Sequence, residues 1–205
     1  AEGIDFVGQL RAQAHSFGRA ARLPLVMNSL HSVIGESEAD VARRLRDKYE
    51  RQDPELGRLQ VADMLGGGID LRDVGLDQTI PHSLLPQLSD VRRRRGRAEM
   101  FLRYANEGLT LRQLIARAAE TGHWFVAGTP EQIADAVQER WQAGVLDVVS
   151  LHGLGNPDAE DLLLNGVLPE LRKRQLLDTE YVEGGFRANL GLPPIEQAAH
   201  SVAQA

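Results

Sequence analysis

Apolar positions in this chain fall into short unbroken runs that alternate with stripes at helical spacing. Leu25 to Ile34 is the first run, carrying Val26, Leu30, Val33 and Ile34, and its length and β-branched content suit a strand. Gly35-Glu36 follows, and then Ser37 with Asp40 three residues on. That pair is an N-cap signature, in which a side-chain oxygen takes up an orphan backbone N–H. Val41, Leu45 and Tyr49 continue at helical spacing, with Arg43, Arg44 and Arg46 on the wet side.

The clearest unit lies later. His123 to Ala127 is a short β-prone run, and Thr129-Pro130-Glu131-Gln132 opens a helix. Thr129 is its N-cap, Pro130 occupies the first helical position where a missing N–H costs nothing, and Gln132 completes a capping box. Ile133, Val137 and Trp141 form the apolar stripe, and Gly144 ends the helix as a left-handed cap. Val145 to Leu151 reads as the next buried strand, with Asp147, its only charge, satisfying backbone donors at the strand start. Gly153 to Asn156 turn the chain, and Pro157 opens a helix carrying Leu164, Val167, Leu168 and Leu171. Pro169 is expected to kink or restart it, because it removes an internal hydrogen bond. Strand and helix in tight alternation predict a parallel α/β architecture.

Between these units, 54–108 does not alternate. It holds Gly66-Gly67-Gly68, Ile80-Pro81 and the run Arg92-Arg93-Arg94-Arg95-Gly96-Arg97, and it reads as an inserted, partly mobile excursion. The glycine triplet reads as a turn and the arginine run as a solvated loop. Thr110 with Gln113 caps a further helix whose inner stripe is Leu111, Leu114, Ile115 and Ala118. From Thr179, with Tyr181, Gly184-Gly185 and Pro193-Pro194, the chain reads as a C-terminal arm laid over a neighbouring surface.

Composition narrows the chemistry. The 205 residues carry a formal charge of −6, are 42% hydrophobic and include no cysteine. A disulfide framework, a thiolate zinc site and a cysteine nucleophile are therefore excluded. No apolar run approaches the ~18 residues of a membrane span. All but Lys48 and Lys173 of the 23 basic residues are arginine, which argues for a biased genome more than for a nucleic-acid surface. Ala1 to Asp5 lack a basic region before an apolar stretch, and Ile4 and Phe6-Val7 read like mid-domain sequence, so the expected location is cytoplasmic.

Phosphate-cradling GxxxxGK[ST] and GxGxxG patterns are not present, nor are HExxH or GxSxG. No two histidines share a helical spacing that would make a metal face, so no metal is expected. Position along the strands is more informative, because parallel barrels gather their chemistry at the C-terminal ends of strands and in the loops that follow. The polar candidates there are Asn28 and His31 on the first strand, and Ser150 and His152 on the last, followed by the Gly153-Leu154-Gly155 turn. A histidine at such a position can bind an anionic ligand or relay a proton near neutral pH. His123, which begins its strand, reads as structural.

Several stretches carry a family resemblance. Val126-Ala127-Gly128-Thr129-Pro130-Glu131-Gln132-Ile133-Ala134-Asp135 and Trp141-Gln142-Ala143-Gly144-Val145-Leu146-Asp147 are the strongest, joined by 109–114, 167–174, Thr179-Glu180-Tyr181 and Leu190-Gly191-Leu192. In order and spacing they resemble the last barrel units of bacterial luciferase-like flavin-dependent monooxygenases, nitrilotriacetate monooxygenase branch. The resemblance covers about 100–200 and, weakly, 1–50.

It implies a single partial domain over 1–205, the C-terminal portion of a (β/α)8 (TIM) barrel, with an insertion at about 54–108 and an arm at about 179–205. It also implies reduced FMN, made by a separate flavin reductase, and oxygenation by O2 of a small aminopolycarboxylate, sulfone or sulfonate substrate. His31 and His152 are then the catalytic candidates, and Asn28, Ser150 and Gly153 the cofactor contacts. The insertion is expected to serve as a lid. The phosphate-gripping segment is expected before Ala1, so the chain is expected to pair with a missing N-terminal half or with copies of itself. The alternative is a non-catalytic remnant or interaction module that associates through exposed barrel edges.

Overall fold

Three parallel strands carry the architecture in the computed structural model, which describes residues 2–19, 23–120, 123–152 and 157–192. They are β1 (Met27–Ile34), β2 (Trp124–Gly128) and β3 (Val148–His152), in the spatial order β2-β1-β3. His31 is in register with Phe125 of β2 on one side and with His152 of β3 on the other. The parallel α/β character expected from the alternation is present. The first strand stands in the centre of this three-stranded sheet, and the parallel build is consistent with part of a barrel.

β3 begins three residues later than the apolar run because Val145 and Leu146 are buried in the turn before it. Asp147 anchors that turn. Its carboxylate accepts the Val26 N–H at 2.8 Å, and its own N–H donates to the Val26 carbonyl at 2.8 Å.

The helices start where their caps predict. α2 (Glu38–Glu50) is capped by Ser37, whose hydroxyl accepts the Asp40 N–H. α6 (Pro130–Gln142) has the Thr129/Gln132 capping box and Pro130 in its first turn, and Gly144 leaves it at φ +69°. α5 (Leu111–Ala119) has the Thr110/Gln113 box and buries all four residues of its stripe. Trp141 departs from expectation, at 55% exposed. Steps of four residues advance 400°, so Ile133, Val137 and Trp141 drift around the helix. The residue seven after Ile133 returns to the inner face instead, and it is Arg140, whose guanidinium lies 4.1 Å from the Trp124 ring centroid.

Pro169 acts as expected, through an unusual turn. α7 (Pro157–Leu162) runs into a π-turn (Leu163–Val167), and α8 (Leu168–Lys173) restarts with Pro169 in its first turn. Leu163, Val167 and Leu171 face the core, whereas Leu164 is exposed. With Leu30, Ile34, Ile133 and Val137 they make the core on one side of the sheet.

The excursion, read from sequence as inserted and partly mobile, contains helices that share a packed core. α3 (Pro54–Met64), α4 (Arg95–Asn106) and α5 share a second core of Val61, Leu65, Phe101, Leu111, Leu114 and others. The connecting loop is held from inside, since the Arg58 guanidinium donates to the carbonyls of Leu71 and Val74. Gly66, Gly67 and Gly68 all have positive φ, so the triplet is the turn its sequence implied. The arginine run divides: Arg94 pairs with Asp63 at 2.8 Å, and Arg95 begins α4.

Two terminal elements differ from the pattern. α1 (Glu2–Ser16), which no stripe announced, buries Val7 and Ala14 while Ile4 and Phe6 stay exposed. In the described part of the arm, Tyr181 ahead of α9 (Gly185–Asn189) is 94% exposed and Phe186 within it 79%. Residues 193–205 lie outside the described residues. Among the described residues no helix is long and apolar enough to cross a membrane.

Candidate functional site

Side chains alternate between the faces of a strand, and two cations show which helix each face meets. Lys48 of α2 lies 4.2 Å from the Phe125 ring centroid, whereas Arg140 of α6 lies over Trp124. α2 and α6 therefore reach opposite faces of the sheet. α7, the π-turn and α8, which follow β3, share the core on the α6 side. The helices after β1 and after β3 thus leave in opposite directions, and β1 and β3 are neighbours. In parallel α/β folds ligands gather outside the carboxyl ends of the strands.

His31 and His152 face each other across this pair of strands. Their rings stack with centroids 4.8 Å apart and planes within 7°. His123, two residues before Phe125 and so on the same face, lies with its ring parallel to that of His31, centroids 4.9 Å apart and planes within 2°. His123 and His152 are 6.1 Å apart. Ser150 lies on this face as well, with its hydroxyl 3.3 Å from His152 Nε2. Parallel rings do not point their nitrogens at a common centre, and among the described residues no group of three His, Asp or Glu is placed to hold a metal ion.

His31, half-buried, is the least exposed of the three. Its Nε2 makes no hydrogen bond among the described residues although the atom is inaccessible to solvent. Burial holds its pKa below the ordinary value, and the charges of His123, His152 and Lys48 act in the same direction. At neutral pH His31 is therefore an uncharged imidazole. Lys48 is itself lowered by burial, partly offset by Glu120. Glu120, 5% exposed, accepts a 2.6 Å hydrogen bond from the Tyr49 hydroxyl. Burial and that bond to Glu120 raise the Tyr49 pKa, so the hydroxyl remains a donor.

The candidates separate accordingly. His31, His152 and Ser150 come together. Asn28 does not join them: it projects to the other face, where its amide donates to the Val145 carbonyl at 3.0 Å and accepts from Arg140 at 2.8 Å. It ties β1 to α6. Gly153 lies outside the described residues. Sequence reasoning passed over His123 because it begins a strand, yet counting back two from Phe125 puts it on the His31 face. It also passed over Lys48, whose signal was its position one residue before the end of the Val41-Leu45-Tyr49 stripe.

No protein-family model matches the chain. Among characterised proteins it is similar to nitrilotriacetate monooxygenase component A of Aminobacter aminovorans, 27% identical over 94% of this chain and 42% of that protein. It is also 30% identical to the dibenzothiophene-sulfone monooxygenase of Rhodococcus erythropolis, over 89% of this chain and 40% of the relative. Among solved structures, EDTA monooxygenase from Chelativorans sp. BNC1 superposes with a TM-score of 0.62 at 31% identity, covering 94% of this chain and 44% of that one. The chain thus spans about two-fifths of the length of the curated relatives it matches. Sequence and fold together make the chain similar to the C-terminal part of luciferase-like monooxygenases such as nitrilotriacetate monooxygenase component A.

Proposed function

We propose that this chain forms part of a two-component flavin-dependent monooxygenase that oxygenates a small organic molecule of the aminopolycarboxylate, sulfone or sulfonate class. A separate reductase would supply the reduced FMN. The observation that carries this reading is the Nε2 of His31, inaccessible to solvent and without a hydrogen bond among the described residues, on the face shared with His152. A buried nitrogen without a partner costs free energy unless a ligand completes its hydrogen bonding. The ring-edge nitrogens and carbonyls of a flavin are suitable partners, so the residues present fit the group.

When bound, reduced FMN supplies the electrons that split O2, one oxygen atom going to the substrate and the other leaving as water. The chain's residues do the rest. His31 stays uncharged at neutral pH and accepts or returns a proton at Nε2. His152, bonded to Ser150, stands beside it as the second proton carrier. The flat faces of His123 and His152 keep the His31 ring in one orientation. Ser150 and Gly153 are the proposed cofactor contacts. Asn28, committed to Arg140 and Val145, positions the strand beneath.

The test uses the full-length protein carrying this chain, supplied with a flavin reductase and 18O2. One labelled oxygen atom is expected in the product by mass spectrometry, and His31→Gln is expected to lower kcat by about 10²–10⁴-fold. Label arriving from water, or a His31→Gln variant with unaltered turnover, would sink the proposal.

A further inference from the structure

At the open edge of β2, where the helical unit meets the sheet, a cavity of about 230 Å³ borders the histidine stack. Its lining includes Arg117, Arg140, His123 and Glu120, with the rings of Trp124 and Tyr104. Apart from the Tyr104 phenol, three of the four ionisable groups are basic. The one acid, Glu120, already accepts the Tyr49 hydroxyl, and its nearest approach to Arg117 is 4.0 Å. Each arginine is held by an aromatic ring: Arg140 over Trp124 at 4.1 Å and Arg117 near Tyr104 at 5.8 Å. Arg140 spends one donor on Asn28, out of the five a guanidinium carries. Burial disfavours its charge, and the Glu139 carboxylate offsets this only in part. The arginines are thus oriented, with donors to spare, around a space smaller than the roughly 300–1,000 Å³ of drug-sized ligand sites.

We infer that this cavity is an oxyanion-binding site, in which Arg117, Arg140 and His123 hold a carboxylate or phosphate group of a small ligand. Guanidinium forks match both groups bidentately. The aromatic rings pre-orient them, so little side-chain freedom is lost on binding. The inference rests on the proposed function only in taking the adjacent stack as the reaction centre, since it assigns the anionic group of a substrate or of a phosphorylated cofactor to this side of that centre.

The experiment titrates the full chain, without flavin or reductase, with inorganic phosphate and separately with malonate, by calorimetry at constant ionic strength. Saturable binding of at least one probe is expected, with movement of the His123 ring signals in the proton–nitrogen NMR spectrum. Arg117→Gln and Arg140→Gln are each expected to weaken binding by about tenfold or more, the loss of one charge-assisted pair. Arg117→Lys, which keeps the charge and loses the fork, is expected to fall between. Binding of malonate alone assigns the site to a carboxylate ligand, and binding of phosphate alone assigns it to a phosphate. Saturation that is unchanged in folded Arg117→Gln and Arg140→Gln proteins, or no saturation by either probe, overturns the inference. If probe binding follows the arginines while 18O2 labelling fails, the anion site stands and the oxygenase proposal falls.

Discussion

Replacing Gly57 by alanine is expected to destabilise the protein, although alanine is the better helix former by about 0.8–1.0 kcal/mol. Gly57 lies inside α3 and faces α5, and a Cβ built on it would stand 2.5 Å from Ile115 Cγ2 and 3.1 Å from both Cγ1 and Cδ1. Ile115 is 5% exposed and branched at Cβ, so it has little room to turn away. Overpacking of this kind costs about 1–3 kcal/mol. Three close contacts on one buried side chain place the cost in the upper part of that range, which leaves a net loss of about 1–2 kcal/mol after the helix-propensity gain. Ile115→Ala alone should cost about 2–5 kcal/mol by opening a cavity. In the double variant the new methyl enters the space the isoleucine vacates, so the two losses should fall short of their sum by about 1 kcal/mol or more. Urea denaturation of the four proteins, with midpoints converted at a common slope, closes the cycle. Additivity within about 0.5 kcal/mol, or a Gly57→Ala protein more stable than the parent, would refute the packing assigned to α3 and α5.

Other expectations concern the sheet and its caps. His31 has a lowered folded pKa, so its contribution to stability is complete above the ordinary value of 6.5 and is lost as pH falls through the folded value. Urea midpoints should therefore drop between about pH 7.5 and 5.5, and by less in His31→Phe; equal drops in both proteins would contradict the burial of the imidazole. Tyr49→Phe removes the hydroxyl that Glu120 accepts and should cost about 1.5–3 kcal/mol, whereas a variant as stable as the parent would show Glu120 to be satisfied otherwise. Thr129→Ala opens the α6 capping box and should cost about 0.5–2 kcal/mol, read from the same denaturation curves; no change would deny the cap its role.

Local rules carried most of what was legible in the sequence. The Ser37, Thr110 and Thr129 caps, the left-handed Gly144 and the four-residue stripe of α5 depend on neighbours within a turn or two, and each is in place. Where the sequence misled, the cause was geometric or long-range. Trp141 was assigned inward by steps of four, and the accumulated rotation carried it out. The 54–108 segment looked loose because its core closes only when α3, α4 and α5 meet. The histidine stack is illegible one strand at a time, since it depends on which strands pair and in what register. Strand order is a non-local property, and no cap or stripe encodes it.

The π-turn ahead of Pro169 bears on how this region tolerates changes of length. A π-turn holds one residue more than the α-helical turn it replaces, and here the surplus precedes a proline that an uninterrupted helix would reject. Insertion and imino acid are therefore a matched pair. Deleting exposed Asn165 alone would leave Pro169 against a carbonyl, and changing Pro169 alone would leave a widened turn with no reason to persist. The two edits together, deletion of Asn165 with Pro169→Ala, should yield one continuous helix. Leu163 and Val167 would then stand three positions apart and still share a face. Relatives that differ here by a single residue should accordingly differ at the proline as well.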